Sequence, residues 1–123
     1  MLLFSSTQRM RRMDYKGKEI YLMDYSGLKE AEMIALTNLH ASTVVAEGKK
    51  CYFIANYDNT YGTANYMKAA HAFTQATKSF IPKGAFLGIR GPKVALLKGV
   101  TYFLNVNFKA FESEQEALDF LVS

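Results

Sequence analysis

The sequence has no tryptophan, one cysteine, two prolines and two histidines among its 123 residues. Cys51 on its own can form no intramolecular disulfide, and with only His40 and His71 beside it no metal cluster is expected. No apolar run approaches the roughly 18 residues of a membrane span, and Met1-Leu2-Leu3-Phe4 is too short for a signal-peptide core. A cytoplasmic location is the resulting expectation, peripheral at the inner membrane if the chain meets lipid. Phosphate loop, dinucleotide fingerprint and Gly-x-Ser-x-Gly elbow are all missing, so no cofactor and no enzyme chemistry is expected. Negative charge is missing over the longest stretch. From Asn59 to Phe111 there is no carboxylate, while Lys68, Lys78, Lys83, Arg90, Lys93, Lys98 and Lys109 all lie there.

What is present is a packed domain. Half of the residues are apolar and 14% are aromatic, which excludes intrinsic disorder. The net charge of +4 suggests nucleic acid until it is located. Residues 1–18 carry Arg9, Arg11, Arg12, Lys16 and Lys18 against Asp14 alone, so residues 19–123 are neutral but polarised. With no platform of alternating exposed aromatic and basic residues on its strands, nucleic acid is not expected as a partner. Long basic side chains also simply keep apolar helices soluble. The ordered pattern begins near Arg9, which gives a loose tail over residues 1–8 and one domain over 9–123.

Periodicity gives a near-regular alternation of elements. Residues 10–15 and 18–25 flank Lys16-Gly17 as a hairpin. A first helix over 28–47 is capped by Ser26 and closed by Gly48, with Ala31, Ile34, Ala35, Leu39 and Val45 as its inner stripe. The apolar run 51–55 is a central strand. A second helix follows over 63–80, with Tyr66, Ala69, Ala70, Phe73 and Thr77 on one face, and Pro82 prevents its continuation. Residues 85–89 are the next strand, and Gly91-Pro92 opens a third helix over 92–106. Residues 108–111 form a short strand, and Ser113-Glu114-Gln115-Glu116 is a capping box opening a last helix through Val122. The fold class is α/β: a single domain with a mostly parallel or mixed sheet of four to five strands and four helices on its faces.

Two groups of residues are candidates for a site. Loops beyond the C-terminal ends of the strands should bring Asp24 and Ser26, then Asp58, Asn59 and Thr60, then Arg90 to helix N-termini that favour anions. The same residue types also serve simply as helix caps. Asp24 and Asp58 could face each other as a carboxylate pair, but nothing else sets up acid–base work. His40 and His71 fall mid-helix without a nucleophile beside them and read as surface or packing residues. The second group is the third helix, whose only charge between Val94 and Val106 is Lys98. A helix apolar all round is buried all round or covers something. Lys93, Leu97, Lys98, Tyr102, Phe103 and Leu104 are therefore the candidate contacts for an apolar ligand, an anionic membrane surface or a second copy in a homodimer.

Four stretches carry a resemblance: Ile20-Tyr21-Leu22-Met23-Asp24-Tyr25-Ser26-Gly27-Leu28, residues 49–57, Lys83-Gly84-Ala85-Phe86-Leu87-Gly88-Ile89-Arg90-Gly91, and Phe111-Glu112-Ser113-Glu114-Gln115-Glu116-Ala117-Leu118. Together they resemble the SpoIIAA-like family, small bacterial proteins related to the STAS domains of anti-sigma factor antagonists and sulfate transporters. The likeness runs from about residue 10 to the end. It implies a mixed or parallel sheet flanked by helices and, through a further similarity to the CRAL-TRIO lipid-transfer domain, an apolar ligand or a membrane. The anti-sigma antagonists carry a phosphorylated serine at the start of the helix after the central strand. Here Asp58-Asn59-Thr60-Tyr61-Gly62 stands in that place and offers no serine. The expectation is a non-enzymatic binding module for an apolar or amphipathic ligand, or for an anionic membrane surface. The alternative is a protein-interaction domain switched by phosphorylation near Thr60.

Overall fold

Strand alternation decides which face each side chain serves. The computed structural model describes residues 3–123, apart from the side chains of Val100 and Phe103. Its strands are β1 (Met10–Tyr15), β2 (Lys18–Asp24), β3 (Tyr52–Asn56), β4 (Gly84–Leu87) and β5 (Phe108–Phe111). Its helices are α1 (Glu30–Glu47), α2 (Ala64–Thr77), α3 (Pro92–Leu104) and α4 (Glu114–Val122). The sheet order is β1-β2-β3-β4-β5, antiparallel between β1 and β2 and parallel from there on. The mixed α/β architecture expected from the sequence is the one found.

The order has a geometric consequence. Each crossover from β2 to β5 steps one strand in the same direction, and right-handed crossovers stepping one way place every connecting helix on one face. Accordingly Tyr21, Met23, Phe53 and Ala55 pack with residues of α1 and α2, while Leu97 of α3 joins the same core. Alternate residues Ile20, Leu22, Ile54, Ala85 and Leu87 face the other way, onto Ala117, Leu118 and Leu121 of α4. A sheet wound in one direction has no reversal of strand order, so it lacks the crevice in which doubly wound sheets bind ligands.

Local chemistry accounts for most boundaries. Lys16 and Gly17 both have positive φ, 50° and 81°, as the two-residue turn of a right-twisted hairpin requires. Thr63 caps α2 by accepting the Tyr66 N–H, and Ser113 caps α4 by accepting that of Glu116. Gly48 closes α1 in the left-handed conformation.

Three expectations do not hold. Ser26 is not the cap of α1: its hydroxyl donates to Asp24 Oδ1, and the helix starts at Glu30, where the Lys29 N–H donates to Glu32. The inner stripe of α1 is Met33, Leu36, Thr37, His40 and Val44, while Ala31, Ala35, Leu39 and Val45 are exposed and Ile34 is half-buried. A search for apolar residues passes over Thr37 and His40, and so picks a stripe on nearly the opposite side of the helix, about 170° away. The loose tail expected over 1–8 does not hold at Leu3, which is buried against α4 and donates its N–H to Glu114. Arg11 secures it further by donating to the Leu3 carbonyl.

Candidate functional site

The loops at the strand ends do converge. Gly27 N–H donates to the Asp58 carbonyl at 3.1 Å, and Tyr57 N–H to the Leu87 carbonyl at 2.8 Å. Gly88 approaches so closely that a Cβ there would stand 2.5 Å from the Asp58 backbone nitrogen, and its φ of 76° is one that glycine tolerates. What the loops do with their polar groups is structural. Asp24 accepts from the Ser26 N–H and hydroxyl and from Asn56, with the Arg9 guanidinium 3.8 Å away. Arg90 shares a polar recess with Asp58, Glu112 and Glu114, where carboxylates outnumber the guanidinium, so the anion preference expected there does not arise. Asp58 and Asn59 are exposed. Thr60 is only 6% exposed and donates its hydroxyl to the Tyr57 carbonyl at 2.6 Å.

The third helix divides. At 100° per residue, Lys93, Leu97 and Leu104 lie within about 40° of one another, and Tyr102 lies opposite. Lys93 and Leu97 are half-buried and Leu104 is buried, whereas Lys98 is exposed and Tyr102 is 82% exposed. The six candidate residues therefore do not form one surface. The Phe103 side chain lies outside the described residues. Lys93 reaches back over the end of β3 and donates from Nζ to the Tyr57 carbonyl at 2.9 Å. Val94, Ala95, Lys98 and Tyr102 make up the outward face, which explains a helix that looks apolar all round yet covers only one side.

Under the inward face lies a cavity of about 80 Å³. Its floor is the sheet, through Met23, Phe53, Ala55, Phe86 and Phe108; α1 and α2 wall it, and Leu96 and Leu97 roof it. Both Phe53 in β3 and Tyr57 just past its end line it, four residues and about 13 Å of extended chain apart. Tyr61, which also lines it, is exposed to solvent. Gly62 lets the roof close: a Cβ there would stand 2.3 Å from Leu96 Cδ1.

Polar groups in this cavity are few and ordered. Tyr25 and Tyr57 stack with ring centroids 4.7 Å apart and planes 3° from parallel. The Tyr25 and Thr37 hydroxyls are bonded at 2.8 Å, Thr37 and Tyr66 at 3.1 Å, and Tyr66 and Tyr57 at 2.5 Å. Burial raises the pKa of all three tyrosines, well above 10 for Tyr25 and Tyr57, so this chain of hydroxyls carries no charge. His40 completes the wall. It is 2% exposed, is held to a pKa of about 3 by burial, and has no hydrogen-bond partner at Nε2 among the described residues.

Comparison with solved structures fits this architecture to a known one. An uncharacterised protein from Shewanella loihica PV-4, described as a DUF3478 family member with a SpoIIAA-like fold, superposes with a TM-score of 0.63. The match covers 91% of each chain at 14% sequence identity. The chain has a SpoIIAA-like fold. That is the fold its sequence resemblance implied, and at this identity the likeness establishes architecture alone. No protein-family model matches the sequence, and no curated protein matches it. No helix among the described residues is long and apolar enough to cross a membrane.

In this SpoIIAA-like fold the cavity brings together His40, Thr37, Tyr25, Tyr57 and Tyr66, none of which stood out as a site residue in the sequence. One signal was available. Asp24 and Asn56 are register partners on neighbouring parallel strands, so the tyrosines that follow each were bound to lie side by side.

Proposed function

We propose that this SpoIIAA-like domain is a non-enzymatic binding module that holds a small apolar or amphipathic molecule in the cavity beneath α3. The observation that supports this most is the lining itself: aromatic and aliphatic walls and a roof of two leucine side chains. At about 80 Å³ the space is smaller than the ~300–1,000 Å³ of ordinary ligand pockets, so the ligand is small or enters by turning Leu96 and Leu97 aside. Of the candidate contacts on the third helix, Lys93 and Leu97 then belong to the ligand side. Lys98 and Tyr102 do not.

The test uses toluene as the probe and amide NMR shifts as the readout. Toluene should shift the amides of Thr37, Ala70, Phe73 and Leu97, which surround the cavity. Ala70→Phe, which fills the space from α2, should abolish those shifts while the protein stays folded. If toluene shifts nothing, and anionic vesicles bind wild type but not Lys98→Glu, the outward face of α3 is the site and the cavity is only packing.

A further inference from the structure

Among the described residues, His40 is the one polar side chain in the cavity wall with a buried atom left unpaired. Its ring sits among Phe73, Tyr21 and Phe53, with centroids at 4.7, 5.1 and 5.7 Å. Each hydroxyl of the neighbouring chain is bonded, whereas Nε2 of His40 is buried with no partner among the described residues. A buried polar atom left unpaired destabilises the empty protein, and native structures keep few of them. A ligand atom at that nitrogen would remove the deficit.

We propose that the cavity receives an uncharged ring compound bearing a hydroxyl, and that His40 Nε2 is the atom that recognises this hydroxyl. The inference rests on the binding reading above and narrows it. The ring follows from the aromatic walls Phe53, Tyr57, Phe73 and Phe86, against which a flat molecule packs edge or face. The hydroxyl follows from the imidazole. A neutral ring presents either a donor or an acceptor at Nε2, and a hydroxyl satisfies both forms where a carbonyl satisfies one. Neutrality follows from the charges. Among the described residues lining the cavity, Lys93 is the one cation, and its Nζ is engaged by the Tyr57 carbonyl. A carboxylate at His40 would lose its water and meet no counter-charge.

Three probes that share a tolyl ring separate the possibilities by calorimetric titration of the full chain: para-cresol, toluene and para-toluate. In wild type, para-cresol and toluene both bind and para-toluate binds more weakly than para-cresol. His40→Leu lowers the ratio of para-cresol to toluene affinity about fivefold, the worth of one neutral hydrogen bond. His40→Phe gives the same readout if the leucine variant fails to fold. A ratio unchanged by either substitution, with both probes still binding, overturns recognition by His40 and leaves the binding reading standing. Absence of binding by all three probes to wild type overturns both.

Discussion

Acid should destabilise this protein earlier than its carboxylates alone would dictate, because His40 is folded in a neutral form. Burial lowers its pKa from 6.5 to about 3. The rings facing it belong to Tyr21, Phe53 and Phe73, and Tyr21 is uncharged in this range because burial raises its pKa above 10. The unfolded chain therefore takes up a proton below pH 6.5 that the folded chain refuses, so stability rises with pH across this window and is lost as pH falls. Between about pH 7 and about pH 5 the loss is about 2 kcal/mol, and it requires only that the folded value lie well below 5. Glu19 does not confuse the window. Although burial alone would raise its pKa, bonds from Lys49 and Arg12 hold it below 4.5, so it contributes only at lower pH. Urea unfolding followed by circular dichroism at each pH measures the slope directly. His40→Leu should remove it. An equal acid slope in wild type and His40→Leu would refute the argument, because it would mean that His40 protonates freely and the cavity wall is wet.

Other consequences follow from single contacts. Gly88→Ala should lower unfolding free energy by at least about 2 kcal/mol, since its Cβ meets the Asp58 backbone at a positive φ. Gly17→Ala, also at positive φ but with nothing within 4 Å, should lose only about 1 kcal/mol by the same denaturation assay. Cys51 is buried, and its pKa is raised to about 11 by that burial, so it should resist aromatic disulfide reagents at neutral pH until denaturant is added. Lys98→Glu on the outward face of α3 should leave toluene affinity within about twofold of wild type, because surface substitutions away from a site act weakly.

Much of the fold was legible because its boundaries rest on local chemistry. Lys16-Gly17, Thr63, Gly91-Pro92 and Ser113 each act within a few residues of themselves, and each terminus they mark lies where the structure has it to within a few positions. The site was less legible because it depends on which face a helix turns inward. In α1 the buried stripe includes Thr37 and His40, polar residues that a hydropathy pattern assigns to water. In α3 the outward positions are Val94, Ala95 and Tyr102, apolar residues that the same pattern assigns to a core. Both departures from the hydropathy pattern have one cause. A cavity lined by hydroxyls and an imidazole beneath a helix with an apolar outer face inverts, locally, the rule that polar residues lie outside. The loops at the strand ends illustrate the opposite case: Asp24, Ser26 and Thr60 were singled out for chemistry and are engaged in holding turns together.

Nuclear Overhauser contacts between para-cresol and methyl-labelled protein test the central claim most directly. The account predicts contacts to the methyl groups of Met33, Met67 and Leu97, three side chains brought together only at the cavity. Contacts to Val94 on the outward face of α3 in their place, or no contacts at saturating para-cresol, would contradict it.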